Sequence, residues 1–395
     1  MSLYSVIGSL LFNNVEQILS GLSWVVISSI GILLGALVVT LPFSKIRIIT
    51  NVPIVIHVWL KTIRLILIIS ITIGIVGIIV TYFYVRSFGN DMGSDNFFLD
   101  TAMATSKFRS DIVYGIRENR VDQYIFSWVG YIGSLLGGHI LGLSKRRIDR
   151  LLGLMPILMM YVMSTLTASR MGSMYATTLS LGAWLATIVL ISHGTIGKNI
   201  GPIIRRVVVL LFIAIVFAFI ATSFRYIDQG SPYEIAIWRN IAEPFSYIHS
   251  FSIWIDKGFL EKSDLLFGYR TFWGLYNKLG HRNVQQYSID TLGLENNILT
   301  ALQGLLEDFG KIGFLLIMLL SGMVATFAYL RVINGQTLWV PTLATIYAAI
   351  FLCPVFSITQ YNQPIFAICL FQLFIFLMVR RIRKNRISLF ASHPS

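Results

Sequence analysis

The sequence predicts an all-α polytopic membrane protein with about nine to ten transmembrane helices and two long loops on one side of the bilayer. Composition is the first observation, because 55% of the 395 residues are hydrophobic and only 12% are charged. The mean hydropathy is +0.74, a value that suits lipid-exposed helices and not a soluble core. Apolar runs of about twenty residues also recur along the chain.

Nine apolar runs are long enough to span the bilayer. They lie near residues 22–43, 63–85, 123–143, 151–168, 173–194, 206–224, 311–333, 338–358 and 364–380. Residues 1–20 contain Asn13, Asn14 and Glu16, so they are interpreted as an interfacial helix or a short tenth span. Residues 51–60 are apolar but short and interrupted by proline, which argues against an ordinary crossing.

The basic residues predict the orientation. Seventeen of the 31 Lys and Arg residues fall on one side of this topology, with Asp149 as their only acidic companion. They lie at 45–64, 145–150, 198–206, Arg331 and 380–386. The positive-inside rule assigns that side to the cytoplasm. The net charge of +13 then reflects orientation and does not imply nucleic-acid binding.

Two long loops, 86–122 and 225–310, fall on the opposite side of a single integral membrane domain, 1–395. Loop 225–310 carries the aromatic stretches 243–255 and 265–280, and a loop of this length usually has a function of its own. The aromatic side chains are either bilayer-interface anchors or platforms for sugar rings.

Charged residues on the outer side are the candidates for chemistry. Arginine is normally avoided in short outer segments, yet the stretch TASRMG contains Arg170. Such an arginine either reaches up to the interface or binds phosphate oxygens through its planar guanidinium. The other candidates of this loop system are Arg225, Arg239, Glu243, Arg270, His281, Arg282 and Asp290.

The stretch ENNILTALQGLLEDFGKIG, residues 295–313, predicts an amphipathic helix ahead of a span. Its apolar stripe is Ile298, Leu302, Leu305 and Phe309, and its small polar face is Asn297, Thr300, Gly304 and Asp308. One interpretation has this polar face lining a cavity. In the other, Asp308 caps or orients the span that follows.

Several function classes are disfavoured by what the sequence lacks. The spans hold almost no ionisable residue besides His139, whereas ion-coupled carriers usually keep charged groups at mid-membrane. The two cysteines, Cys353 and Cys369, lie in apolar segments and match no zinc or disulfide pattern. The chain has no Walker loop and no dinucleotide-binding glycine motif.

Three segments resemble the bacterial O-antigen polymerase (Wzy) family of oligosaccharide repeat-unit polymerases. The stretch NNILTALQGLLEDFGKIG is similar to that family's Asn–Thr–Asp-Phe-Gly–Gly segment ahead of a late span. LFGYRTFWGLYNKLG resembles its Gly–Thr-Phe stretch, and TASRMG resembles the Ser-Arg turn of an earlier span. The resemblance covers roughly residues 120–380.

The resemblance implies an inner-membrane glycosyltransferase that works at the periplasmic face without a cofactor or metal. A glycan carried on undecaprenyl pyrophosphate is transferred en bloc to another lipid-linked repeat unit. The implied partners are this donor and acceptor, membrane lipids, a chain-length regulator and a flippase, and no nucleic acid. The implied catalytic candidates are Asp308, Glu243 and His281, and the substrate or pyrophosphate ligands are Arg170, Arg225, Arg270, Arg282, Asn297 and Thr300.

Two alternatives stay open. An O-antigen ligase shares the architecture and the donor but transfers the glycan to lipid A–core, and the segment around Asp308 favours a polymerase over it. A non-enzymatic flippase of lipid-linked oligosaccharides is the other. A flippase is expected to have internal symmetry and a charge-lined cavity across the membrane, and the sequence shows no sign of either.

Overall fold

The computed structural model of the chain describes most of its apolar helices and part of its loops. The described residues are 15–43, 55–87, 100–101, 103–108, 121–167, 169–192, 201, 205, 208, 209, 212, 213, 216, 250–258, 265–278, 289–291, 294–296, 300–352, 358, 359 and 361–391.

Nearly all of the described residues are helical. The helices are α1 (Val15–Phe43), α2 (Val55–Arg86), α3 (Val121–Leu143), α4 (Arg147–Leu166), α5 (Arg170–Ser192), α6 (Trp273–Lys278), α7 (Ala301–Ile333), α8 (Val340–Leu352) and α9 (Asn362–Ala391). Residues 250–256 are helical as well. The strands β1 (Ile289–Thr291) and β2 (Leu294–Asn296) form a short antiparallel hairpin, and a 3-10 turn, Thr337–Trp339, precedes α8.

The chain is an all-α multi-pass membrane protein, as the sequence predicts. In the described part of the chain, seven helices are long and apolar enough to cross a membrane. They are Leu19–Leu41, Leu60–Arg86, Ile125–Leu143, Arg147–Leu166, Met171–Ser192, Ala301–Ile333 and Asn362–Arg381. The predicted span 338–358 overlaps the shorter apolar helix Thr337–Leu352, and most of the predicted span 206–224 lies outside the described residues.

Several boundaries differ from the sequence prediction. Helix α1 begins at Val15, so residues 15–20 of the predicted separate segment 1–20 belong to the helix of the first span, and residues 1–14 lie outside the described residues. The stretch 51–60 is not separate from the next span, because α2 begins at Val55 and runs without interruption to Arg86. The proline of that stretch, Pro53, precedes the helix and therefore removes no helical hydrogen bond. The predicted helix 295–313 begins at Ala301 instead, since residues 294–296 form β2.

The chain divides into two compact units. One comprises Met1–Lys45, Trp238–Phe327 and Leu352–Asn362, and the other comprises Ile46–Ile237, Ala328–Phe351 and Gln363–Ser395.

The first unit packs α1 against α7 through small residues. A side chain at Gly35 would collide with the backbone carbonyl of Leu319, and one at Gly322 would collide with that of Ile32. Close backbone approach at glycine is a common way for transmembrane helices to associate. An apolar core completes the unit; it comprises Phe251, Trp254, Leu302, Leu306, Phe314 and Met318.

The second unit has α3 at its centre, in contact with α2, α4 and α5. Glycine again permits close packing, because a side chain at Gly138 would collide with the backbone carbonyl of Ser180. His139 is fully buried, and its Nδ1 lies 2.6 Å from the hydroxyl oxygen of Thr187. These contacts make His139 a helix-packing residue.

An ion pair joins α2 to α4 within the second unit. The guanidinium of Arg64 donates to both carboxylate oxygens of Asp149, over 2.6 and 2.7 Å. The hydroxyl of Ser144 donates to the same carboxylate. Asp149 is the single acidic residue on the side that carries the 17 basic ones. It is buried, and its carboxylate holds α2 and α4 together.

Candidate functional site

A buried polar cluster lies where α7 meets the loop formed by residues 265–272. The members of this cluster, called the Asp308 cluster, are Arg270, Thr271, Gln303, Glu307 and Asp308, all of which are buried. Two of them come from the loop and three from the start of α7. The cluster therefore joins the two segments that carry most of the family resemblance.

Asp308 holds the backbone of the loop. One of its carboxylate oxygens accepts the backbone N–H of Arg270 at 2.8 Å, and the other accepts that of Thr271 at 2.6 Å. The side chain is 0% exposed. A charged acceptor shared by two backbone donors is a strong arrangement, and it compensates for the burial of the negative charge.

Glu307 holds the side chain of the same loop. The Nε of Arg270 donates to Glu307 Oε2 over 2.7 Å, with the two side chains 6% and 1% exposed. The amide nitrogen of Gln303, one helical turn earlier, donates to the other oxygen of Glu307 over 3.2 Å. The carboxylate is thus paired and hydrogen-bonded, as a charge in a low-dielectric surrounding must be.

A break in α7 frees backbone acceptors for the loop. Gly310 has φ 65° and ψ −176°, which interrupts the helical hydrogen-bond ladder and favours glycine. The carbonyl of Glu307 accepts the backbone N–H of Leu266 at 3.3 Å, and the carbonyl of Asp308 accepts that of Phe267 at 2.9 Å. Two residues of α7, Glu307 and Asp308, therefore bind four peptide N–H groups of the loop, at positions 266, 267, 270 and 271.

One further contact fixes the far side of the loop. The hydroxyl of Thr359 donates to the backbone carbonyl of Thr271 over 2.7 Å. The loop is therefore held by the side chains of α7, by the carbonyls at the α7 break and by residue 359. Such a dense set of bonds sets the position of whatever residues follow the loop in sequence.

The predicted site residues fall into three groups: those that the structure brings together, those that it places elsewhere, and those outside the described residues. Arg270 and Asp308 are brought together, 38 residues apart in sequence. Thr300 lies at the start of α7, where its hydroxyl accepts the backbone N–H of Gln303 at 3.1 Å and caps the helix. Arg170 begins α5. Arg225, Arg239, Glu243, His281, Arg282 and Asn297 lie outside the described residues.

Three members of the Asp308 cluster, Thr271, Gln303 and Glu307, are not among the site residues that the sequence predicts. Glu307 is one of three acidic residues just ahead of an apolar run, and an acidic residue in that position is unusual enough to be a site candidate. Gln303 lies three residues after Thr300, in the Thr-x-x-Gln pattern of a helix start. The side-chain amide of Gln303 donates to Glu307, a partner that this helix-start pattern does not predict.

The geometry suits positioning more than proton transfer. A general base must come within hydrogen-bond distance of the proton that it removes. Asp308 is fully buried with both oxygens occupied, and Arg270 is 8% exposed with its Nε on Glu307. Among the described residues, no three His, Cys, Asp or Glu side chains lie together as metal ligands.

The chain matches no protein-family model, no curated protein and no solved structure. Its function must therefore follow from the residues themselves.

Proposed function

We propose that this protein polymerises oligosaccharide repeat units carried on undecaprenyl pyrophosphate. The supporting observation is the direct contact between two segments that resemble polymerase motifs. Residues 265–272 and the Asp-Phe-Gly segment at 308–310 are distant in sequence, yet Asp308 binds the backbone of Arg270 and Thr271. Two motifs of one family are expected to meet in space when they build one site.

The proposed reaction transfers a glycan between two lipid-linked substrates. A hydroxyl oxygen of the acceptor's non-reducing sugar attacks the anomeric carbon of the donor glycan. The bond between that carbon and the pyrophosphate oxygen breaks, and undecaprenyl pyrophosphate leaves. A protein base takes the hydroxyl proton, which typically contributes a factor of ~10²–10⁴. A well-placed donor to the departing pyrophosphate is worth about 3 kcal/mol of barrier.

The roles of the candidate residues divide by burial. We assign Arg270, Glu307 and Asp308 to positioning, because their polar atoms are engaged inside the protein. Glu243 or His281 then acts as the base. Arg170, Arg225 and Arg282 are the proposed pyrophosphate ligands, and Asn297 is a proposed substrate contact.

The proposed orientation places the protein in a bacterial inner membrane with loop 225–310 in the periplasm. It rests on the 17 basic residues that share one side with a single acidic residue. A phosphatase that is active only in the periplasm should be active when it is fused after Lys262. A cytoplasmic reporter fused at the same position should be active only if the topology is inverted, and that result would remove the basis of the proposed reaction.

Lysine substitution tests the outer arginines. Arg170→Lys and Arg282→Lys keep the charge but lose the planar fork that binds two phosphate oxygens. In a strain lacking the chromosomal gene, each variant should shift surface glycan towards single repeat units while protein abundance holds. Arg331→Lys, on the opposite side of the proposed topology, is the matched control and should leave the ladder intact.

Gel electrophoresis of the surface glycan, which displays this ladder, also separates a polymerase from a ligase or a flippase. Deletion of a polymerase gene leaves glycan of one repeat unit on the cell surface, whereas deletion of a ligase or flippase removes that glycan altogether. Normal ladders from both lysine variants would reject pyrophosphate binding by these arginines.

A further inference from the structure

A cavity of about 450 Å³ lies in the second unit, and none of its lining residues belongs to the Asp308 cluster. Three helical stripes line it. One stripe, on α4, runs Arg150, Leu154, Ile157, Leu158 and Tyr161. The second, on α5, is Thr177, Ser180, Leu181 and Trp184, and the third is Arg205, Val209 and Ile213. The volume falls in the range of ordinary small-molecule sites, ~300–1,000 Å³.

The lining of the cavity combines two arginines with mostly apolar side chains. Arg150 lies in the first turn of α4, and Arg205 begins the third stripe. Both arginines are exposed, and among the described residues neither guanidinium forms an ion pair. Most of the other lining side chains are Leu, Ile and Val. An occupant must therefore combine a negative group with a long apolar part.

The depth of the cavity matches one leaflet of a bilayer. Arg150 and Tyr161 are eleven residues apart on one helix, which corresponds to about 16 Å. Half of the hydrocarbon core of a bilayer is about 15 Å. At the inner end, the hydroxyl oxygens of Tyr161 and Thr177 lie 2.7 Å apart and satisfy each other, so this end demands no polar group from the occupant.

We propose that this cavity binds an anionic glycerophospholipid, with the phosphate between Arg150 and Arg205 and one acyl chain along α4. Basic pockets between transmembrane helices are suited to anionic headgroups, and the apolar walls accept the chain. In the proposed orientation the lipid comes from the cytoplasmic leaflet. The site is separate from the proposed polymerisation chemistry and would exist whether or not that reaction is correct.

The test measures lipid binding to the purified full-length protein in detergent. Phosphatidylglycerol and phosphatidylcholine with identical acyl chains are added, and bound lipid is counted by native mass spectrometry. We expect one phosphatidylglycerol to be retained with a preference of about 10- to 30-fold over phosphatidylcholine, from two arginines near a membrane surface. The double variant Arg150→Gln/Arg205→Gln should lose this preference.

Two further variants complete the test. Arg147→Gln removes the same charge from the same exposed turn, but Arg147 does not line the cavity, so the preference should stay. Leu158 is a half-exposed residue of the cavity lining, and Leu158→Trp puts a larger side chain there. This variant should retain less phosphatidylglycerol although all of its arginines are present. Equal retention of the two lipids by the unaltered protein would overturn the proposal. Unchanged retention in Leu158→Trp would also overturn it, because the lipid would then lie outside the cavity. Complete displacement of the lipid by an equal concentration of inorganic phosphate would overturn it as well, because the acyl chain would then contribute nothing to binding.

Discussion

Asp308→Ala is expected to lower the free energy of unfolding by about 2–6 kcal/mol, because it leaves two buried peptide N–H groups without an acceptor at ~1–3 kcal/mol each. The two groups are those of Arg270 and Thr271. Asp308→Asn should cost less, since the amide oxygen still accepts one bond while the amide nitrogen faces the second donor. Thermal unfolding of the detergent-solubilised protein measures both effects.

An exposed aspartate of the same unit is the control. Asp256→Asn makes the same chemical change on the helical segment 250–256, and its unfolding temperature should match that of the unaltered protein.

Activity measurements on the same variants separate positioning from catalysis. If Asp308 positions the loop, polymerisation by Asp308→Asn should decline together with stability and recover in part at low temperature. If Asp308 were the general base, the Asn variant would stay folded and bind substrate, yet polymerise at least ~10²-fold more slowly at every temperature. The second pattern would contradict the assignment of Asp308 to positioning.

Breaking the buried pair between Arg270 and Glu307 should have an effect of similar size. Glu307→Ala removes the carboxylate that accepts from the buried guanidinium of Arg270, and losses of ~3–5 kcal/mol are typical when one member of a buried pair is removed. Arg270→Met should destabilise comparably, because it leaves the carboxylate of Glu307 with the amide of Gln303 as its remaining side-chain donor among the described residues.

The double variant Arg270→Met/Glu307→Leu is the informative experiment. Replacing both ions with apolar side chains removes the unpaired charge, and such replacements are often neutral or stabilising. We expect most of the lost stability to return, and polymerisation to return with it. A stable double variant that does not polymerise would instead restore Arg270 as a ligand of the pyrophosphate.

The pair formed by Arg64 and Asp149 is the matched control for this experiment. It is also a carboxylate buried against an arginine, but it belongs to the second unit and joins α2 to α4. Asp149→Asn should lower the unfolding temperature while polymerisation per folded molecule remains unchanged. Equal loss of activity from both pairs would mean that activity reports stability alone.

Sequence reasoning identified the membrane class and most of the spans from local properties. An apolar run of about twenty residues has only one way to satisfy its backbone in a bilayer, so hydropathy predicts a helix without knowledge of its neighbours. The approximate limits of α3, α4 and α5 follow in this way. The predicted start of α7 was too early, because the hairpin 289–296 depends on pairing between strands and not on helical periodicity.

The candidate site was predicted only in part. The sequence indicated that Asp308 lies on a polar helical face, and both a cavity-lining and a capping role were compatible with that pattern. The tertiary structure gives Asp308 a role that neither interpretation named, since its two carboxylate oxygens accept the backbone N–H groups of Arg270 and Thr271. The partner of Glu307 likewise depends on a contact across 37 residues.

The sequence by itself therefore determined the environment of this chain, namely an all-α architecture inside a membrane. The tertiary structure alone decided which polar groups are buried against one another at the Asp308 cluster and in the cavity between α4 and α5. The physical reason is that partition into lipid depends on each segment's own composition. Pairing of a buried charge depends on which donors the fold delivers from distant parts of the chain.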